Sequence, residues 1–360
     1  MVLALYAFGT SLVVSFLSMP LLIKFLHKQH LLDEGGRRKI HKGQIPAMGG
    51  IVIFLAFVFS LLAWLPVNDI FSRKHLFSAI ILIFLTGFRD DSAPLKPWSK
   101  LVAQLVAVLI VVGLADVRID SFHGFLGIYE IPRWISIVFS VFVIIVVTNA
   151  FNLIDGVDGL AASIAVVGFS FYACWFFITN NYEYAIMMFA LVGAVLGFLY
   201  FNWHKAAIFM GDTGSLILGF LLSISTIAFI KSNGTLAEDV NEYSFKAPIA
   251  MAVTIALFPL FDTLRVFILR VRQGKSPFAA DKQHLHHYLL RLGYNHEKVT
   301  LIITGIFAFI VLVMLLLSRV FDDNILIPVL ILFCFALSLY LRKGVLDSYK
   351  KQRKEADKAR

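Results

Sequence analysis

Charge is scarce in this chain. Only 15% of its 360 residues are Asp, Glu, Lys or Arg, against 59% hydrophobic. That balance excludes an ordinary soluble core and points to a protein built of membrane-crossing runs, each near the ~20 apolar residues that a span requires. Cysteine is nearly absent: Cys174 and Cys334 lie far apart inside apolar runs, show no partner pattern, and read as structural filler. No Lys or Arg precedes the first apolar run, and the first basic residue, Lys24, stands at its far end, which excludes a cleavable signal. No internal repeat and no Pro/Gly/Ser-rich linker divides the chain. The expectation is one transmembrane catalytic domain, 1–341, followed by a mixed-charge basic tail, 342–360.

What is present is an all-α, polytopic pattern. About eleven candidate spans are legible: 3–26, 47–65, 75–89, 99–115, 134–151, 159–178, 185–201, 212–230, 247–269, 299–318 and 325–341. The runs 75–89 and 185–201 are the shortest. Pro259 inside 247–269 is expected to break or kink that helix, and a broken helix at membrane depth generally lines a cavity. Basic residues cluster after the first run, so the N-terminus is expected outside and the C-terminus in the cytoplasm. On that alternation most of the 32 Lys and Arg fall on the inner face, which accounts for the net charge of +9.

Several carboxylates also fall at inner helix ends, where charge beside hydrocarbon is expensive and usually functional. Asp90 and Asp91 close the third run, at a helix end that is already partly negative, so a cation such as Mg²⁺ or Lys100 is needed to offset them. Asn149, Asn152, Asp155 and Asp158 recur every third residue, as a row that would make an oxygen-rich pocket for a hard cation and hydrogen-bonding groups. Gly211-Asp212-Thr213-Gly214-Ser215 opens the eighth run, where Asp212 or Thr213 also suits a helix cap, and Phe209 just before it suits stacking on a base or, as a lone Phe at the membrane edge, anchoring there. Gly49 and Gly50, at the mouth of the second run, permit close approach of a ligand or a neighbouring helix. The longest inner loop carries Arg270 and then His284-Leu285-His286-His287. Without a His-Glu helix motif or a nearby cysteine, these histidines suit phosphate contacts better than zinc.

Taken in order, Asp90-Asp91-x-x-x-Leu95-x-x-x-x-Lys100, Asn149-x-x-Asn152-x-x-Asp155-Gly-x-Asp158-Gly-Leu, Phe209-Met-Gly-Asp212-x-Gly-Ser and His284-x-His286-His287 resemble the polyprenyl-phosphate N-acetylhexosamine-1-phosphate transferases. This is the superfamily of MraY, WecA and TagO, and Ser276-Pro277-Phe278 with the form of the histidine run resembles the WecA/TagO branch. The chain departs from the family pattern at Asp33-Glu34-Gly35 and at Lys205-Ala206-Ala207.

The resemblance implies transfer of a sugar-1-phosphate from a UDP-N-acetylhexosamine, GlcNAc being the expected sugar, to undecaprenyl phosphate, with UMP leaving. This is the first membrane step of a cell-surface polysaccharide, placed at the bacterial inner membrane with the site on its cytoplasmic face. It implies Mg²⁺, with Mn²⁺ as the alternative, held by Asn152 and Asp212. Asp90, Asp91 and Asp212 are the implied catalytic residues. Lys42, Lys100, Asn149, Asp155, Asp158, Phe209, Gly211, Arg270, His284, His286 and His287 are the implied substrate contacts. The partners are the lipid carrier, the nucleotide sugar and the bilayer, with no nucleic acid; a homodimer is the family expectation. The alternatives are a phospho-MurNAc-pentapeptide transferase of the MraY type and, from another class, a nucleotide-sugar or lipid-phosphate carrier. A carrier should show repeated halves and midplane polar residues.

Overall fold

Each apolar run read as a span is a helix in the computed structural model, which describes residues 2–29, 45–236, 242–274 and 284–358, without side chains at 341, 342 and 345–358. The span helices are α1 (Val2–Lys28), α2 (Gly50–Trp64), α4 (Lys74–Ser92), α5 (Pro97–Gly113), α6 (Arg133–Ile154), α7 (Leu160–Ile178), α8 (Tyr182–Asn202), α9 (Gly211–Asn233), α10 (Pro248–Arg272), α12 (His296–Leu317) and α13 (Asp323–Lys358). The short helices α3 (Val67–Ser72) and α11 (Leu285–Arg291) lie between them. Among the described residues there is no strand, only an isolated bridge between Ser121 and Glu130. Eight helices are long and apolar enough to cross a membrane by length and composition, while α2 and α5 are shorter apolar helices. The remaining run, α4, carries charge at both ends, with Lys74 at one and Arg89, Asp90 and Asp91 at the other.

Two details bear on the sequence expectation. Helix α10 is one helix from Pro248 to Arg272 with Pro259 inside it, so it is not broken there; proline removes one N–H from the ladder, and packing on both sides of the residue carries the helix through. Helix α13 passes position 342 without ending, because no proline or helix-stopping cap lies between Tyr340 and Lys358.

Helix α9 is the centre of the bundle. Every residue from Thr213 to Ile230 is buried, against α2, α4, α6, α7 and α10. A helix that is apolar all round is stable only when enclosed in this way. Helices α1 and α8 pack by close backbone approach. Ser11 Oγ donates to the Ala190 carbonyl at 2.6 Å and Ser15 Oγ to the Ala194 carbonyl at 2.8 Å. A Cβ on Gly193 would stand 2.3 Å from the Phe8 carbonyl oxygen. Small residues at such contacts replace the hydrophobic drive that lipid removes. Gly193→Leu is therefore expected to lower stability by about 3 kcal/mol or more, read as a fall in thermal unfolding temperature in detergent; an unchanged transition would refute the contact.

The connections alternate between two ends of the bundle. One end gathers the start of α2, the α4–α5 turn, the α6–α7 turn, the α8–α9 connection and α11. The other is fastened by pairs such as Arg73 with Glu183 at 2.8 Å and Asp323 with the Ala250 N–H at 2.7 Å.

Candidate active site

The first of these ends is assembled on the N-terminus of α9. Residues 46–50 run beside 209–210. Phe209 N–H donates to the Pro46 carbonyl at 2.8 Å, and the N–H groups of Gly49 and Gly50 donate to the carbonyls of Phe209 and Met210, both at 2.9 Å. Gly50 lies so close to α9 that its Cβ would stand 2.0 Å from Gly214 N. The neighbouring-helix reading of Gly49-Gly50 is thus the one realised.

Asp91 then closes the junction. The first turn of any helix leaves N–H groups without partners. Here Asp91 Oδ1 accepts from Asp212 N–H at 2.7 Å, and Oδ2 accepts from Thr213 N–H at 2.9 Å and Thr213 Oγ at 2.5 Å. A carboxylate from α4 therefore caps α9 from outside. Gly211 makes this possible: at φ +72° it adopts a left-handed backbone, and a Cβ there would stand 2.6 Å from Asp91 Oδ2.

Asp90 turns the other way. Its Oδ1 accepts from Leu95 N–H at 2.6 Å, and its Oδ2 pairs with Lys100 Nζ at 3.0 Å. Lys100 also donates to Asp212 Oδ2 at 2.7 Å. The other oxygen of Asp212 faces Asn152, whose Nδ2 lies 2.5 Å from Oδ1 and 2.7 Å from Ser215 Oγ. Four helix ends thus deliver Asp90, Lys100, Asn152 and Asp212 to one point. Asp90 and Asp91 lie beyond the apolar run of α4. Burial pushes Asp91 up to about 6, against the opposing pull of its Thr213 and Asp212 donors. Asp90 is also raised, first by burial and then by the Asp212 carboxyl, with Leu95 N–H and Lys100 opposing.

The donor set fits a hard divalent cation. Two carboxylates, Asp90 and Asp212, face a single ammonium, and Asp212 and Asn152 present oxygen chemistry once the Asn152 amide is turned over. Among the described residues no group of three or more His, Cys, Asp or Glu side chains encloses a metal. Mg²⁺ commonly binds through one or two carboxylates and completes its octahedron with water and substrate phosphate.

The every-third-residue row does not stay together, because α6 ends at Ile154 and the chain turns at Asp155. Asn149 is drawn to α5: its Nδ2 donates to Gln104 Oε1 at 2.7 Å and to the Ile145 carbonyl at 2.8 Å. Asp155 is half-buried at the turn. Asp158 is buried between His204 Nδ1 at 3.5 Å and His296 Nδ1 at 3.4 Å, and its carbonyl accepts from Thr300 Oγ at 2.7 Å. Phe209 is half-buried and Arg270 is buried near the end of α10.

The histidines stack. The His284 and His286 rings are parallel within 2° at 5.5 Å, and His287 lies 4.2 Å from His286. His286 Nε2 faces the turn after α6, where a Cβ on Gly156 would meet it at 3.1 Å. Burial, reinforced by His287, pushes His286 down to about 3, so it is neutral at physiological pH. Its Nδ1 is buried without a hydrogen-bond partner among the described residues. Lys42 and Ser276–Phe278 lie outside the described residues.

Sequence reasoning passed over Gln104, His204, Asp262, Arg265 and His296. A signal existed for two of them: Asp262 and Arg265 are charges three apart inside an apolar run. His204 and His296 gave none, since their partner Asp158 is remote in sequence.

The model for glycosyl transferase family 4 matches residues 74–230. The chain is 31% identical over 301 residues to a probable undecaprenyl-phosphate N-acetylglucosaminyl 1-phosphate transferase of Bacillus subtilis, covering 82% of this chain and 80% of that one. It is 33% identical over 296 residues to a decaprenyl-phosphate N-acetylglucosaminephosphotransferase of Mycobacterium tuberculosis, covering 76% and 72%. To an undecaprenyl-phosphate alpha-N-acetylglucosaminyl 1-phosphate transferase of Escherichia coli it is 27% identical over 307 residues, covering 82% and 80%. With its motifs, its helices and these likenesses in agreement, the chain belongs to the polyprenyl-phosphate N-acetylhexosamine-1-phosphate transferase superfamily.

Proposed function

We propose that this protein transfers N-acetylglucosamine-1-phosphate from UDP-N-acetylglucosamine to undecaprenyl phosphate at the cytoplasmic face of the bacterial inner membrane, with UMP leaving. The observation that carries the reading is the meeting of Asp90, Lys100, Asn152 and Asp212 at one end of the bundle. The attacking group is a phosphate oxygen of the lipid carrier. A phosphate monoester with a second pKa near 6 is largely dianionic at neutral pH, so bringing two anions together is the harder task. Lys100 supplies one positive charge at the meeting point, and Asp90 holds its ammonium in place. Asn152 and Asp212 are the residues that would hold Mg²⁺, which when bound neutralises charge on the diphosphate. Arg270, buried at the same end, adds a guanidinium for phosphate.

Purified protein, undecaprenyl phosphate, Mg²⁺ and a panel of UDP-sugars test this. UMP should appear with UDP-N-acetylglucosamine and vanish on adding EDTA. No UMP should appear without the lipid, since direct attack leaves nothing to transfer to. Stoichiometric UMP without lipid would replace direct attack by an aspartyl-phosphate route, and no turnover with any UDP-sugar would sink the reading.

A further inference from the structure

Asp262 is a fully buried carboxylate inside α10, and nothing in the reaction as described above uses it. It has three partners. Its Oδ1 accepts from Arg265 Nη2 and from the N–H of Leu285, both at 2.9 Å. Its Oδ2 lies 2.9 Å from His284 Nδ1. Arg265 is itself held, its guanidinium 4.8 Å from the Tyr288 ring centre. A charge this deep in a membrane helix is expensive, and it persists where it does work for a site. Among the described residues, the charged and titratable groups around the His284 ring are Asp262 and Arg265 from α10 and His286 and His287 from α11.

The contacts decide which ring nitrogen carries the proton. A carboxylate can only accept, so His284 must donate to it from Nδ1, and in the neutral ring Nε2 keeps its lone pair. We propose that Asp262 is a positioning residue of the transfer reaction, fixing His284 with its proton on Nδ1 so that Nε2 takes up a proton from the phosphorylated substrate. This rests on the function proposed above. As the carrier's phosphate oxygen bonds to the β-phosphorus of the UDP-sugar, the bond from that phosphorus to the bridging oxygen breaks, the bridging oxygen leaves on UMP, and any P–O–H proton the carrier retains passes to Nε2. The resulting imidazolium is stabilised by Asp262, and the proton departs on the phosphate of UMP. His284 thereby acts as a proton acceptor within the phosphate contact that the sequence suggested.

Asp262→Asn tests the point sharply. Oδ1 of the asparagine would keep Arg265 and Leu285, which places the amide NH₂ against His284 Nδ1. The ring must then accept at Nδ1 and carry its proton on Nε2, the wrong tautomer for proton uptake. Nitrogen spectra of ring-¹⁵N-histidine protein in micelles at pH 8, with His284 assigned by its loss in His284→Gln, read the tautomer directly. The wild type is expected to show the proton on Nδ1, and the variant on Nε2. The variant's kcat for UMP release should fall roughly 10²-fold or more with KM little changed.

A wild-type ring protonated at Nε2 overturns the proposal, whether or not the variant folds. So does a folded variant that keeps kcat within tenfold. Failure of wild-type protein to turn over any UDP-sugar would instead strike the function proposed above, and the spectra would still judge the Asp262–His284 pair.

Discussion

Asp212→Asn is expected to lower kcat/KM for sugar-phosphate transfer by roughly 10³-fold or more, with little change in thermal unfolding temperature. The side chain keeps its shape, and the two partners it meets are both polar: Lys100 at Oδ2 and Asn152 at Oδ1. What is lost is charge. One of the two carboxylates at the meeting point becomes neutral while Lys100 remains, so the attraction for a divalent cation falls steeply. A Lewis-acid contribution of several kcal/mol corresponds to about three decades in rate, at 1.36 kcal/mol per decade. Initial rates of UMP release over a Mg²⁺ titration provide the check. The variant should need far more Mg²⁺ and still not reach the wild-type rate. A rate within tenfold of wild type at ordinary Mg²⁺ would remove Asp212 from the metal site.

The neighbouring carboxylates are expected to separate into two phenotypes. Asp91→Ala should destabilise the protein, by about 1–3 kcal/mol for each buried donor left unpaired, since Asp212 N–H, Thr213 N–H and the Thr213 hydroxyl all depend on it. Asp91→Asn should fall between, because its amide keeps one acceptor and sets a donor against the others. Asp90→Ala should cost less stability than Asp91→Ala, since only the Leu95 N–H loses its acceptor, and remove activity, because it frees Lys100 from one of its two carboxylates without uncapping α9. Thermal unfolding in detergent beside UMP-release rates decides between them. If Asp90→Ala is the less stable variant and Asp91→Ala the more active-site-specific one, the division of labour is reversed.

This division shows where sequence reading stops. The pair Asp90-Asp91 was visible as an expensive acidic helix end, and the need for a cation beside it named Lys100 correctly as a candidate partner. Successive helical residues point about 100° apart, however, so the assignment of one to Lys100 and the other to α9 depends on how α4 is rotated against α9, which adjacent letters do not encode. The helices themselves were legible because hydrocarbon imposes long uninterrupted apolar runs. The row at Asn149, Asn152, Asp155 and Asp158 looked coherent because its period was helical. The helix ends two residues after Asn152, and past that point the spacing no longer describes a shared face. Asp262 lies three residues after Pro259 in the same apolar run, and a charge inside such a run is a stronger signal of a site than a proline.

The enclosure of α9 has a consequence for biogenesis. Its partners α2, α4, α6 and α7 leave the ribosome before it, and α10 only afterwards. The nascent bundle must hold an open groove for α9, which α10 then seals. Asp212 reaches Lys100 only when that groove is filled, after about two-thirds of the chain has been made, and Arg270 and His284 follow later still. A chain arrested earlier would be lodged in the bilayer but inert.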